Sequence, residues 1–341
     1  MSNNINEKND NWTILVPISN LELTKKIKNE IKIDKVTFIA SKKIPYINKK
    51  LGSNIKLKDV LKKLFKLQRD EISKYKTFAI LRLAGTPSDI KERSLSIIRD
   101  ELAILSVSQL GYSNRNNKKS PSISKESPNA SSSSFMLSDD NWINYNKILS
   151  NRGPLVLDEV WYSFNKKVFF YNLLKIFRDK NCVKDKWKKN IKNAVVLAGQ
   201  SQSSKDIPQS FLWNMISLET LITSQNEKQS EKLVERIGAL ISWQEDWENL
   251  EFDSKIKDVY KLRCNFVHDG KREKIKMEHV HFTDILLLNV LTNILYNLDY
   301  FTSKKKFIEF SEILKAENFL GIKHKKILKK RKFLMPKTTY N

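Results

Sequence analysis

From Leu155 onward, apolar residues return every three or four positions through six successive stretches. That spacing makes a bundle of helices the way to bury them. Val160 to Phe177 carries Trp161, Phe164, Val168, Phe169, Leu173 and Phe177 on this period. Asp185 to Leu197 repeats it, with Ala198-Gly199 as the expected stop. Pro208 suits a first helical turn and opens Phe211–Thr223. Ser230 is the expected cap of Glu231–Ile241, whose Leu233, Val234, Ile237, Leu240 and Ile241 share one face. Trp243 and Trp247 fall in the connection to the next helix, for which Asp253 or Ser254 is the cap. Val280 to Phe301 is the most apolar of the set. Short joins between such helices imply antiparallel neighbours.

The fifth helix carries an anomaly. With Ile256 at the top of a wheel of about 100° per residue, Val259 falls near 300°, Tyr260 near 40° and Val267 near 20°. Arg263 falls at about 340°, inside the apolar stripe, where a guanidinium needs a partner. His268 follows five residues on, and Asp269-Gly270 supplies a stop. In water a histidine titrates near neutrality, and an arginine stays charged and forks onto phosphate or carboxylate. A spare 2′-hydroxyl makes RNA its own nucleophile, so this pair suffices for phosphodiester cleavage without a metal. The bland alternative has Arg263 cap buried carbonyls or pair with a carboxylate, Glu219 being one candidate, and leaves His268 as the end of a helix.

The Arg263-x4-His268 pair at the end of an apolar helix resembles the ribonuclease motif of HEPN domains. Tyr260-x-Leu262-Arg263 running into Phe266-Val267-His268-x-Gly270 is similar to the ApeA-like branch, as is Phe211-Leu212-Trp213-Asn214-Met215-Ile216-Ser217-Leu218-Glu219-Thr220-Leu221 upstream. The resemblance covers about residues 155–300. It implies a helical bundle that dimerises about a two-fold axis and brings both motif copies into one cleft. It also implies a metal-independent endoribonuclease of bacterial anti-phage defence, silent until a phage-derived trigger or partner protein releases it onto host RNA such as tRNA. Arg263 and His268 would then be catalytic, with Asn265 and Glu219 in support. Many members carry Asn, Asp or His directly after the arginine, where this chain has Cys264. That departure, with the charge balance below, favours an alternative: a non-catalytic HEPN module that binds nucleic acid or a partner protein.

The first third has a different texture. Residues 12–18, 34–40 and 77–83 are β-branched runs that read as strands. Leu57–Lys74 and the stretch from Ser88, as N-cap, to about Leu110 read as helices. Gly52, Gly85 and Gly111 stand singly, so no phosphate-cradling loop is present. The fold class is therefore α+β: a small N-terminal α/β domain over 1–110, serving as sensor or adaptor, followed by an all-α bundle over 146–303, which the resemblance implies is of the HEPN type. Residues 111–145, rich in Ser and Asn and poor in apolar residues, read as a linker or loop insertion. Residues 304–341 read as a basic tail.

Net charge is +24, with 51 lysines and 11 arginines. Its distribution says more than its size. Residues 21–76 hold 17 basic and 6 acidic side chains, and 301–341 hold 12 and 3, whereas 211–300 hold 11 and 15. Basic flanks around a mildly acidic centre suit a polyanion gripped at the edges, RNA first. No apolar run reaches the ~18 residues of a membrane span, and the start lacks a signal-peptide pattern, so a cytoplasmic protein without membrane partners is expected. Cys182 and Cys264 lack metal-ligand spacing, and His279 with His281 has no third ligand nearby. No cofactor or metal is expected.

Overall fold

The computed structural model describes residues 10–46, 75–112, 115, 118–124, 131–137, 143–149, 153–178, 183–241, 251–321 and 334. The chain divides into two compact units, and the fold is mixed α+β. The first holds Met1–Ile31, Phe38–Ile98 and Arg115–Leu157; the second holds Lys32–Thr37, Arg99–Asn114 and Asp158–Asn341. Among the described residues, no helix is long and apolar enough to cross a membrane.

The first unit is organised by β1 (Asp10–Ser19) and β5 (Thr77–Gly85), paired antiparallel from Asp10↔Gly85 to Ile18↔Thr77. β3 (Glu30–Lys32), β4 (Thr37–Ala40) and β7 (Ser122–Ile123) complete a sheet of order β3-β4-β5-β1-β7. Thr77 to Leu81 are all buried, as a central strand covered on both faces requires. β10 (Gly153–Leu157) lies between β2 (Leu21–Leu23) and β6 (Lys118–Lys119), parallel to both. Two threonine hydroxyls brace the strand ends. Thr77 Oγ1 donates to Leu21 O and Thr24 Oγ1 to Leu157 O, each at 2.7 Å.

Several expectations change here. The run 34–40 is a strand only over Thr37–Ala40, because Asp34 N donates to Glu101 Oε2 at 2.8 Å instead of entering a ladder. The helix expected from Ser88 is α1 (Pro87–Ser106) and begins one residue after Thr86, with proline at its first position. The Leu57–Lys74 helix lies outside the described residues. The stretch 111–145 contributes β6, β7, β8 (Ser131–Leu137) and the start of β9 (Ile143–Leu149). β8 and β9 form an antiparallel hairpin running from Ser131↔Leu149 to Leu137↔Ile143. Ladders are made by the backbone, so a serine run with few apolar side chains can still pair.

The second unit is helical: α2 (Glu159–Lys167), α3 (Phe170–Arg178), α4 (Asp185–Ser203), α5 (Ile207–Ile222), α6 (Gln229–Ile241), α7 (Phe252–Asp269), α8 (Met277–Tyr296) and α9 (Lys304–Phe319). α8 is the hub, buried almost continuously from Thr283 to Leu295. The single helix expected over Val160–Phe177 breaks at Val168, whose backbone is extended. Asp158 caps α2, accepting from Trp161 N at 2.9 Å, and Asp206 caps α5, accepting from Gln209 N at 3.0 Å. α7 starts before both expected caps, from Glu251 in a left-handed conformation.

Gly199 does not stop α4, which runs on to Ser203. A Cβ at Gly199 would collide with the carbonyl of Ala103. The glycine is therefore a place where two backbones touch, which costs helix propensity and gains close packing. The expected basic tail is also different. Its first half is α9, with Phe307 and Phe310 buried beside Phe301 in a cluster of edge-on rings. Charge counting hid an apolar stripe.

Candidate functional site

α7 is anchored by its first half. Phe252, Ile256 and Val259 are buried, Tyr260 to Phe266 are mostly half-exposed, and Val267 to Gly270 are exposed. Gly270 ends the helix at φ 67°, a left-handed conformation that glycine adopts freely. Its N–H reaches the carbonyls of Asn265 and Phe266, and Lys271 N donates to Asn265 O at 3.3 Å. His268 therefore lies within the last helical turn. The glycine stop does not release it from the wheel, and side chains five apart on a helix diverge by about 140°. Within one chain, Arg263 and His268 point to different sides of α7.

Arg263 is where the bland reading put it. Its Nη2 donates to Glu219 Oε2 on α5 at 2.9 Å. Nε also lies 2.9 Å from Oε1, but its N–H is not aimed at that oxygen, so this second contact is ionic only. The two side chains are 20 % and 12 % exposed, so the pair sits at the edge of the bundle. Burial pushes the Glu219 carboxyl above the usual range, and Arg263 opposes the shift. Among the described residues Nη1 of Arg263 has no hydrogen-bond partner. One edge of the guanidinium is held, and one remains available.

Tyr260 and Cys264 complete the surroundings, one turn apart on α7. The Tyr260 hydroxyl is pushed up by burial first, then by its contact with Cys264, with Glu219 adding to the effect. Cys264 is half-buried with a free thiol. The side chain of Asn265 makes no hydrogen bond to His268. Asp269 beside His268 is held below the usual carboxylate range, mainly by its hydrogen bond from Lys271.

The C-terminal end of α5, next to Glu219, is closed by cations. Lys304 Nζ donates to Thr220 O and Arg236 Nη1 to Ile222 O, both at 2.8 Å. Terminal carbonyls lack intrahelical partners, and positive charge suits that end of the dipole. Arg236, wholly buried, forks onto Glu227 with contacts of 2.7 and 2.8 Å. Sequence reading missed both cations, since nothing local links positions 236 and 304 to α5. It also missed a buried polar group on the other side of α5. There Asn214 donates to Thr283 Oγ1 at 2.9 Å and to Asp284 Oδ1 at 2.8 Å, and Gln202 joins Asp284 at 3.0 Å.

His279 works locally, accepting from Lys276 N at 3.0 Å through Nδ1 at the start of α8. Among the described residues there is no group of three or more His, Cys, Asp or Glu that could hold a metal ion. The chain matches no family model, no curated protein and no solved structure. Its class is that of a mixed α+β protein with a helical second unit and a half-open arginine–carboxylate pair near the end of one helix.

Proposed function

We propose that this chain is a metal-independent endoribonuclease of the HEPN type, acting in the cytoplasm on RNA, with tRNA as the first substrate class and anti-phage defence as its setting. The observation that carries this reading is Arg263. It is fixed on one edge by Glu219, without a hydrogen-bond partner at Nη1 among the described residues, and five residues from a solvent-exposed histidine on the same helix. Arginine is suited to a phosphate whose charge grows in the transition state, and an imidazole moves protons near neutral pH.

In this mechanism one His268 takes the proton of a 2′-hydroxyl. The 2′-oxygen bonds to the adjacent phosphorus, and the bond from phosphorus to the 5′-oxygen breaks. The leaving oxygen takes a proton from a second imidazole, and the products carry a 2′,3′-cyclic phosphate and a 5′-hydroxyl. Arg263 neutralises the phosphorane. Because Arg263 and His268 diverge on one helix, the reaction calls for a homodimer in which His268 of one copy meets Arg263 of the other. The phage-derived trigger or partner protein would control the assembled cleft.

A second reading is supported by the same ion pair. Glu219 already offsets the charge of Arg263, as in a purely structural bundle that binds nucleic acid or a partner without cutting. Expression of the wild-type chain in bacteria distinguishes the two. The nuclease reading expects arrested growth, relieved by Arg263→Ala and by His268→Ala at equal protein levels. Equal harmlessness of all three chains supports the binding module.

A further inference from the structure

The N-terminal ends of α4 and α9 meet. Lys184 N donates to Thr302 O at 2.9 Å, and Trp187 Nε1 donates to Phe301 O at 3.0 Å. Between them opens a cavity of about 520 Å³, whose walls include Lys184, Lys186, Lys304, Lys305 and the carboxylates Glu309 and Glu312. That volume lies in the range of small-molecule sites. Among the described residues neither Lys184 nor Lys186 is paired with a carboxylate. Lys184, which precedes α4, gives that helix no side-chain cap. Trp187 N and Lys188 N donate to its carbonyl at 2.8 and 3.0 Å, which leaves the N–H groups of Asp185 and Lys186 to other acceptors. By contrast, Ser303 Oγ caps α9 by accepting from Lys306 N at 3.3 Å.

We propose that this cavity binds a small phosphorylated molecule, its phosphate held by Lys184 and Lys186 at the start of α4, with Lys304 beside them. Lysines and uncapped helix N–H groups together are the usual receptor for a phosphate. The rest of the wall limits the size of the ligand. α9 runs from Lys304 and Lys305 past Ile308 to Glu309 and Glu312, and eight residues of helix span about 12 Å. Glu309 is offset by Lys305 and Lys306, at 3.8 and 3.6 Å, so charge changes from positive through apolar to negative only at Glu312. A ligand with a phosphate at one end and hydroxyl or amino donors at the other matches that sequence. An extended nucleic-acid strand does not, since its next phosphates would face Glu312.

Lys304 adds a supporting feature. Its ammonium is pressed down to about 8, first by burial, then by Arg236 and Lys186, against the opposing pull of Glu227. It already caps Thr220 O, so its replacement would disturb α5 as well as the cavity. Lys184 and Lys186 carry no such second duty, and the test uses them.

The experiment is calorimetric titration of the full chain with AMP, with glucose 6-phosphate and with a single-stranded RNA 12-mer, each against wild type and Lys184→Gln/Lys186→Gln. The proposal expects at least one of the two small phosphates to bind. Its Kd should weaken tenfold or more in the double variant, with the thermal unfolding midpoint of the protein unchanged. Three outcomes overturn it: neither small phosphate binds, binding is indifferent to the two substitutions, or only the RNA is sensitive to them. The cleavage activity of the protein does not enter this test, so its result stands apart from the nuclease reading.

Discussion

Glu219 and Arg263, 44 residues apart in sequence, meet through a 2.9 Å hydrogen bond that joins α5 to the exposed half of α7. The carboxylate fixes one edge of the guanidinium and so decides which edge can face a substrate. Glu219→Ala leaves Arg263 partly buried without its counter-charge. For a fully buried pair such a loss costs about 3–5 kcal/mol; solvent at this edge reduces it to about 1–2 kcal/mol. Urea unfolding measures that cost. If Arg263 is catalytic, Glu219→Gln lowers kcat for RNA more than it raises KM, because the arginine is still charged but less firmly aimed.

The same pair has a pH signature. Burial raises the Glu219 carboxyl, so its folded value lies above its unfolded value near 4.5. Its contribution to stability is fully present below about 4.5 and is lost as pH rises through the raised value. Glu227 behaves in the opposite sense. The Arg236 hydrogen bonds hold it below 4.5, so its contribution is present above 4.5 and is lost as pH falls through the depressed value. Unfolding measured from pH 3 to pH 7 should show Glu227→Gln weakening the protein most at the neutral end. Glu219→Gln should gain on wild type as pH climbs past 4.5.

Gly199→Ala tests the backbone contact between α4 and Ala103. On helix propensity alone the alanine would help by about 1 kcal/mol. The collision with the Ala103 carbonyl reverses the sign, and a net loss of about 3 kcal/mol or more is expected from overpacking against backbone. The urea midpoint of the variant reads the sign directly.

Phe307→Ala asks whether α9 belongs to the core. A solvated basic tail would tolerate the change within about 0.5 kcal/mol. Phe307 is wholly buried against Phe301, so truncation should cost about 3–5 kcal/mol.

Helical period made most of the second unit legible before the structure, because each helix hides one face and that face repeats every three or four residues. Arg263 was visible as an anomaly for the same reason, since a charge on an apolar stripe must be paired; Glu219 was one candidate among the groups that could pair with it. Gly199 misled because a glycine that ends a helix and one that admits a neighbouring backbone are identical in sequence. α9 was hidden by its lysines, although Phe307 and Phe310 keep the spacing of a buried face. The pairing of strands with 118–119 and 153–157, and the closing of α5 by Lys304 and Arg236, depend on contacts far apart in the chain. No local pattern encodes them.

The central claim is that Arg263 and His268 cut RNA without a metal, and the most direct measurement is cleavage of total tRNA in EDTA with end-group analysis. Wild type, Arg263→Ala and His268→Ala would be compared at equal concentration. The account predicts fragments with 2′,3′-cyclic phosphate and 5′-hydroxyl ends from wild type, and at least a hundredfold slower cleavage by each variant. Fragments ending in 3′-hydroxyl, loss of all cleavage in EDTA with recovery on adding a divalent cation, or undiminished cleavage by either variant would contradict it.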